Sequence, residues 1–244
     1  MKKDTIFNEA SFAPGDFSFN KNVVEVFDDM ISRSVPFYNY LLQAIVFSLF
    51  RLLKDRKKLA VYDLGASTGA LMQVLQQYCY GAKQVDYYAV DSSLDMLAVL
   101  NENRYLYDLG KVVTIEHDLN KFFKFGQVDV VVLNLILQFL TVESRLPLLK
   151  NIFESLSPGG VCFFVEKCVQ QDDFIQDLFV QNYHQYKLKQ GYSVDEIKNK
   201  DIALSGVLNP LFVQDNVDLL KDAGFTAVYP FYQWFNFIGL IAIK

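Results

Sequence analysis

The segment Asp63-Leu64-Gly65-Ala66-Ser67-Thr68-Gly69 has the residue types that let a main chain wrap closely around a ligand. Glycine reaches backbone angles closed to other residues and leaves room for close approach, and a following helix offers unpaired N–H groups. Asp91 ends a later β-branched run, where a carboxylate can accept hydrogen bonds from both hydroxyls of a ribose. Asp118 follows a third such run and can accept from an exocyclic amine. Asn134 interrupts a fourth, where its amide can bind backbone or ligand. The Gly-x-Gly-x-x-Gly spacing that brings a helix terminus onto a pyrophosphate is absent, and so is the Gly-Lys-Ser/Thr of a phosphate loop. A nucleoside without phosphates fits this set best.

These residues need a scaffold that gathers the ends of separate strands. Apolar runs at Leu59–Leu64, Val85–Val90, Val112–His117, Val128–Leu133 and Gly160–Glu166 alternate with helical stretches at Leu71–Tyr78, Leu94–Tyr107 and Glu143–Leu156. Such alternation builds strand-helix units on a parallel sheet, and strands apolar throughout are covered on both faces. The helix ending near Leu156 is expected to stop in a Ser157-Pro158-Gly159-Gly160 turn. Phe225–Tyr229 and Trp234–Ile243 lie too close for a crossover helix, so this last pair is expected to be antiparallel. The expected fold is α/β, a Rossmann-like and mostly parallel sheet in one domain. Residues 1–56 are expected to form a helical cap broken at Pro36, and 172–210 a lid or insertion whose aromatics, Phe174 to Tyr186, pack either a dimer or the core and lid, the second being slightly favoured.

Composition removes several alternatives. With 28 acidic against 23 basic residues the net charge is −5, which opposes broad adhesion to nucleic acid. The basic run from Arg51 to Lys58 reads as the solvated end of a helix. Hydrophobic residues make up 52% of the chain, yet its longest apolar stretches are too short and interrupted to span a membrane. The N-terminus lacks the long apolar core of a secretory signal, so a cytoplasmic location is expected. Cys79, Cys162 and Cys168 form no Cys-x-x-Cys pair, and His117 and His184 stand apart, so neither a disulfide framework nor a metal site is expected.

The glycine loop, Asp91, Asp118, Leu156-Ser157-Pro158-Gly159-Gly160 and Asp222-Ala223-Gly224-Phe225 together resemble the class I S-adenosylmethionine (SAM)-dependent methyltransferases. Further segments narrow the likeness: Asp4-Thr5-Ile6-Phe7, Val26 to Tyr38, Leu133 to Leu140, Gly191-Tyr192-Ser193 and Phe235-Asn236-Phe237 look like the carboxy-S-adenosyl-L-methionine synthase (CmoA) family, essentially end to end. That resemblance implies a homodimer that turns SAM and prephenate into carboxy-SAM and phenylpyruvate, for 5-oxyacetyluridine at the tRNA wobble position. It also implies that Tyr38 closes over the SAM, and that Gly65, Ala66 and Ser67 line its amino-acid portion. Asp91 and Ser92 would hold the ribose, Asp118 and Leu119 would flank the adenine, and Asn134 would sit near the sulfonium.

Where the family carries an arginine and then a glutamate after Gly-Tyr-Ser, this chain has Asp201 and Ser205. The arginine pairs with the new carboxylate through its fork of donors. An aspartate there repels it by roughly 4 kcal/mol at about 4 Å and an effective dielectric of 20. Asp201 is thus expected to oppose the family's reaction and an arginine in its place to favour it. The candidates for the missing positive charge are Arg33, Lys198 and Lys200. Alternative readings are a methyltransferase of unknown acceptor, or a SAM-binding paralogue without turnover; the residues alone name no catalytic group.

Overall fold

The computed structural model describes residues 2–8, 12–78, 84–103 and 109–244. Cys79 and the end of the helix expected over Leu94–Tyr107 lie outside them. Asn20 accepts from Asn22 N and Val23 N to start helix α1 (Lys21–Val24). Helices α2 (Phe27–Ser34) and α3 (Tyr38–Leu52) follow, bent by 88° at the segment holding Pro36. The ring fixes φ and removes a donor, and Phe37 at φ 54° completes the turn.

The alternating units then run in order: β1 (Lys58–Leu64), α4 (Ala70–Tyr78), β2 (Gln84–Asp91), α5 (Leu94–Asn103), β3 (Lys111–Glu116), β4 (Val128–Asn134), α6 (Val142–Ser155) and β5 (Leu156–Lys167). Helices α7 (Asp173–Lys189), α8 (Val194–Leu204) and α9 (Val213–Asp222) precede β6 (Ala227–Trp234) and β7 (Phe237–Ile243). The sheet order is β3-β2-β1-β4-β5-β7-β6. β1 to β5 are parallel, and β7 runs antiparallel to both β5 and β6. The final pair is antiparallel as expected, although Trp234 ends β6 and the turn falls at Phe235-Asn236, with Phe235 at φ 43°.

One boundary differs more. Ser157-Pro158-Gly159-Gly160 does turn, with Gly159 at φ 70°, but inside β5 rather than before it, since Leu156 is already paired to Val128 and the next pair is Val161 with Val130. Polar contacts pin this turn: Ser157 Oγ and Arg56 both donate to Asp129, and Arg56 also donates to Pro158 O. Part of the basic run is therefore used in pairing, since Lys58 also meets Asp86 at 2.8 Å.

Alternate residues of each strand enter opposite cores. Val130 and Val132 pack with α3 and α4, while Val131 and Leu133 pack with α6 and α9. Helix α3 thus covers one face of the sheet; Leu41, Leu42, Ile45, Val46 and Leu49 are all buried. A smaller cluster of Phe7, Val23, Val26 and Met30 with Ala203 joins the N-terminal segment to α8. Among the described residues no single helix is long and apolar enough to cross a membrane.

Candidate active site

The strand order reverses between β1 and β4, so their outgoing loops part and leave a crevice at the carboxyl ends. The glycine loop fills one side of it. Gly65 has φ 75°, and a Cβ there would lie 1.9 Å from Ile136 Cδ1, so only glycine passes between loop and cavity wall. Asp91 fixes the loop from β2: its carboxylate accepts from Ser67 N and Ser93 N, both at 2.9 Å. Burial raises its pKa above the usual carboxylate range against these bonds. Lone pairs on both oxygens remain for a ligand.

On the opposite side, Glu166 shapes the turn after β4. Its buried carboxylate accepts from Ile136 N, Leu137 N and Gln138 N at 2.8–3.0 Å, although burial pushes its pKa up to about 8. Leu135 takes φ 64° where the chain leaves β4. Asn134 then points its Nδ2 at Tyr38 Oη, 3.5 Å away, while its buried Oδ1 has no hydrogen-bond partner. An orphaned buried acceptor is costly unless a ligand meets it.

Two chambers share Gly65, Ser67, Ile136, Phe139, Phe17 and Phe19. The outer one is lined also by Asp91, Ser92, Asp118 and Leu119. Asp118 Oδ1 accepts from Asn120 N at 3.0 Å, which with the Asn120 side chain and Lys121 holds its pKa low, so it stays ionised. The inner chamber includes Tyr38, Asp63, Ala66, Asn134, Lys200 and Asp201. Asp63 accepts from Tyr87 Oη, and burial pushes its carboxyl up to about 7. All nine residues expected to hold the ligand line this two-part cavity. Its acid-flanked outer part, close-approach glycine and orphaned amide fit a nucleoside with a charged amino-acid tail.

The candidates for positive charge separate. Lys200 lines the inner chamber; Lys198 lies with Ser205 in an outer groove on the far side of Asp201, which lines both. Arg33 is held elsewhere: it donates to Asp29 Oδ2 and Asp4 O, and lies 4.0 Å from the Tyr192 ring. Asp201 does line the inner chamber, but its carboxylate is already engaged by Lys187 Nζ at 3.1 Å and His184 Nε2 at 2.8 Å. Its negative charge is therefore largely matched by its neighbours, which weakens the repulsion expected from sequence. Lys167 and Lys187 also line the chamber and carried no sequence signal as a pair. Lys167 alone was findable, standing where a parallel strand ends.

Residues 61–160 match a family model described as a methyltransferase domain. The chain is 39% identical over 244 residues to the carboxy-S-adenosyl-L-methionine synthase of Desulfotalea psychrophila, covering 100% of this chain and 98% of that one. It is 36% identical over 245 residues to the enzyme of that name from Vibrio parahaemolyticus, covering 99% and 97%. Among solved structures, an O-methyltransferase family protein from Burkholderia thailandensis superposes with TM-score 0.61 at 18% identity, over 93% of this chain and 60% of that one. Human N-acetylserotonin methyltransferase in complex with SAM gives 0.60 at 14%, over 92% and 55%. These longer, distant chains share the fold.

Proposed function

The chain belongs to the carboxy-S-adenosyl-L-methionine synthase family, and we propose that it converts SAM and prephenate to carboxy-SAM and phenylpyruvate, in the cytosol and as a homodimer. The product would supply 5-oxyacetyluridine formation at the tRNA wobble position, carried out by another protein. The observation that carries this reading is the two-part cavity at the reversal of strand order, where the glycine loop separates a ribose-binding acid from a chamber walled by lysines. A methyl acceptor needs no such concentration of positive charge.

SAM would bind with its adenine between Asp118 and Leu119, its ribose on Asp91 and Ser92, and its amino-acid tail along Gly65, Ala66 and Ser67. Asn134 and Tyr38 would then stand at the sulfonium. Residues 1–56 and 172–210 serve as cap and lid, since α2, α3, α7 and α8 supply the inner wall. In the overall reaction prephenate loses carbon dioxide and its ring hydroxyl as the ring becomes aromatic. The sulfonium methyl gives up a proton and gains the carboxyl; proton and hydroxide leave as water. The protein's part is to orient the reactants, exclude water and pair their charges, which is the larger share of many enzymatic rate gains.

Incubation with SAM and prephenate, followed by mass spectrometry, tests the reading. Carboxy-SAM and phenylpyruvate in equal amounts are expected. SAM recovered unchanged beside unconsumed prephenate would end it.

A further inference from the structure

Three ammonium groups share the wall of the inner chamber with one carboxylate from the lid. Lys167 ends β5, Lys187 lies on α7, and Lys200 and Asp201 lie on α8. Asp201 serves Lys187. Lys200 Nζ is buried and donates to Ser34 Oγ at 2.8 Å, with the Tyr192 and Phe7 rings 5.3 and 5.4 Å away. Lys167 Nζ stands 5.0 Å from the Tyr183 ring, which also receives Lys187 at 4.3 Å. A hydroxyl and ring faces solvate an ammonium group without neutralising it.

The nearby acids are otherwise used. Asp4 acts on Lys200 from a distance, as Arg33 does with the opposite sign, but its carboxylate accepts from Tyr192 Oη and Ile6 N. Asp63 is the last but one residue of β1, and β1 lies two strands from β5, roughly 10 Å away by strand spacing. Among the described residues, Lys167 and Lys200 therefore face the chamber with no carboxylate in contact. A buried ammonium left so is costly, and it is the arrangement expected where an anionic ligand completes the pair.

We propose that Lys167 and Lys200 receive the carboxylate that the reaction adds to the sulfonium methyl, while Asp201 positions Lys187 beside them. The proposal rests on the synthase reading. Two lysines on different elements thereby take the part that the resemblance assigns to a single forked guanidinium, and the aspartate becomes a support for the positive wall. Asn134 pairs with Val165, two residues before Lys167 on β5, so the sulfonium end of the ligand and this wall adjoin. Burial, reinforced by Lys187, pushes Lys167 down to about 8 and Lys200 down to about 7; an arriving anion reverses that shift.

Calorimetry with SAM and with carboxy-SAM separates the possibilities, because these ligands differ by the one carboxylate. The natural protein should prefer carboxy-SAM. Lys167→Gln and Lys200→Gln should each weaken carboxy-SAM binding on the order of 30-fold, with SAM affinity changed by less than about 3-fold. Lys167→Arg should keep the preference. Removing an unpaired buried charge should leave both glutamine variants melting no lower than the natural protein, so the comparison is made on folded chains. If the natural protein makes carboxy-SAM and both glutamine variants keep its preference, the lysine assignment is overturned alone. If the natural protein binds SAM yet neither makes nor prefers carboxy-SAM, the synthase reading falls first and this assignment with it.

Discussion

Asp91 holds the glycine loop and faces the outer chamber with the same carboxylate, so removing it has two effects. Asp91→Ala should weaken SAM binding by about 3 kcal/mol or more, the worth of two charge-assisted hydrogen bonds, and should loosen Ser67 besides. Calorimetry measures the first effect; unchanged affinity would remove Asp91 from the ribose. The lysine wall adds a pH dependence. Lys167 and Lys200 have pKa values lowered to about 8 and about 7, so both are charged below pH 7 and lose their protons as pH rises past 8. An anion binds the protonated forms. The preference for carboxy-SAM over SAM should therefore be greatest below pH 7 and fall by up to about tenfold per pH unit per lysine above pH 8. Asp201, Lys187, Asp4 and Arg33 act on the same two groups, and the SAM arm of the titration corrects for Asp63, Asp91 and the ligand's own amine. A preference that grows with pH would contradict the assignment.

At the scale of elements, α8 brings Lys200 and Asp201 to the cavity, and its start is fixed by a reciprocal cap. Ser193 Oγ accepts from Glu196 N, and Glu196 accepts from Ser193 N. Ser193→Ala should cost about 1 kcal/mol and raise the KM for prephenate more than that for SAM, because the frayed helix carries the inner wall and not the glycine loop. Steady-state kinetics with each substrate varied in turn separates the two. Asp201→Arg belongs to the same helix. Against the gain in activity expected from sequence, geometry sets a cost in stability, because the new guanidinium would stand beside Lys187 and Lys200 and leave Lys187 without its acid. A loss of about 2 kcal/mol in stability is expected, less than for a fully buried pair since the Asp201 side chain is 40% exposed. Thermal unfolding checks it. Helix α3 has a comparable double duty at Tyr38, which packs in the core and lines the inner chamber. Tyr38→Phe should keep apo stability and weaken SAM binding, whereas Tyr38→Ala should also lose about 3 kcal/mol or more of stability through its cavity.

Across the whole molecule, the inner chamber is assembled from three parts of the chain: α2 and α3 before the sheet, the ends of β1, β4 and β5, and α7 with α8. A ligand seated there binds all of them at once. SAM at a hundred times its Kd should raise the unfolding free energy by about 2.7 kcal/mol. Hydrogen exchange should slow in α2, α8 and the glycine loop together. Protection confined to the glycine loop would mean that the cap and lid do not close on SAM.

Strand-helix alternation, strand polarity and the residues lining the two-part cavity were legible in the sequence because they depend on short-range order. A glycine loop after an apolar strand, an acid at the next strand end and a pair too close for a crossover each state their geometry within a few residues. That β5 begins one residue before the Ser157-Pro158-Gly159-Gly160 turn was not legible, since Asp129 and Arg56, far off in sequence, pin that turn against the sheet. Of the lysines lining the inner chamber, Lys200 alone was a candidate from sequence, although Lys167 was findable at its strand end. Arg33 has a suitable charge but is taken by Asp29, and Lys198 lies two residues from Lys200, opening on a different groove. Whether Asp201 repels a ligand or supports a lysine depends on Lys187 and His184 one helix away. Charge is written in the residue, but its sign at the site is set by which neighbours the fold brings within a few ångströms, and Coulomb energy falls too steeply through solvent for sequence distance to stand in for that separation.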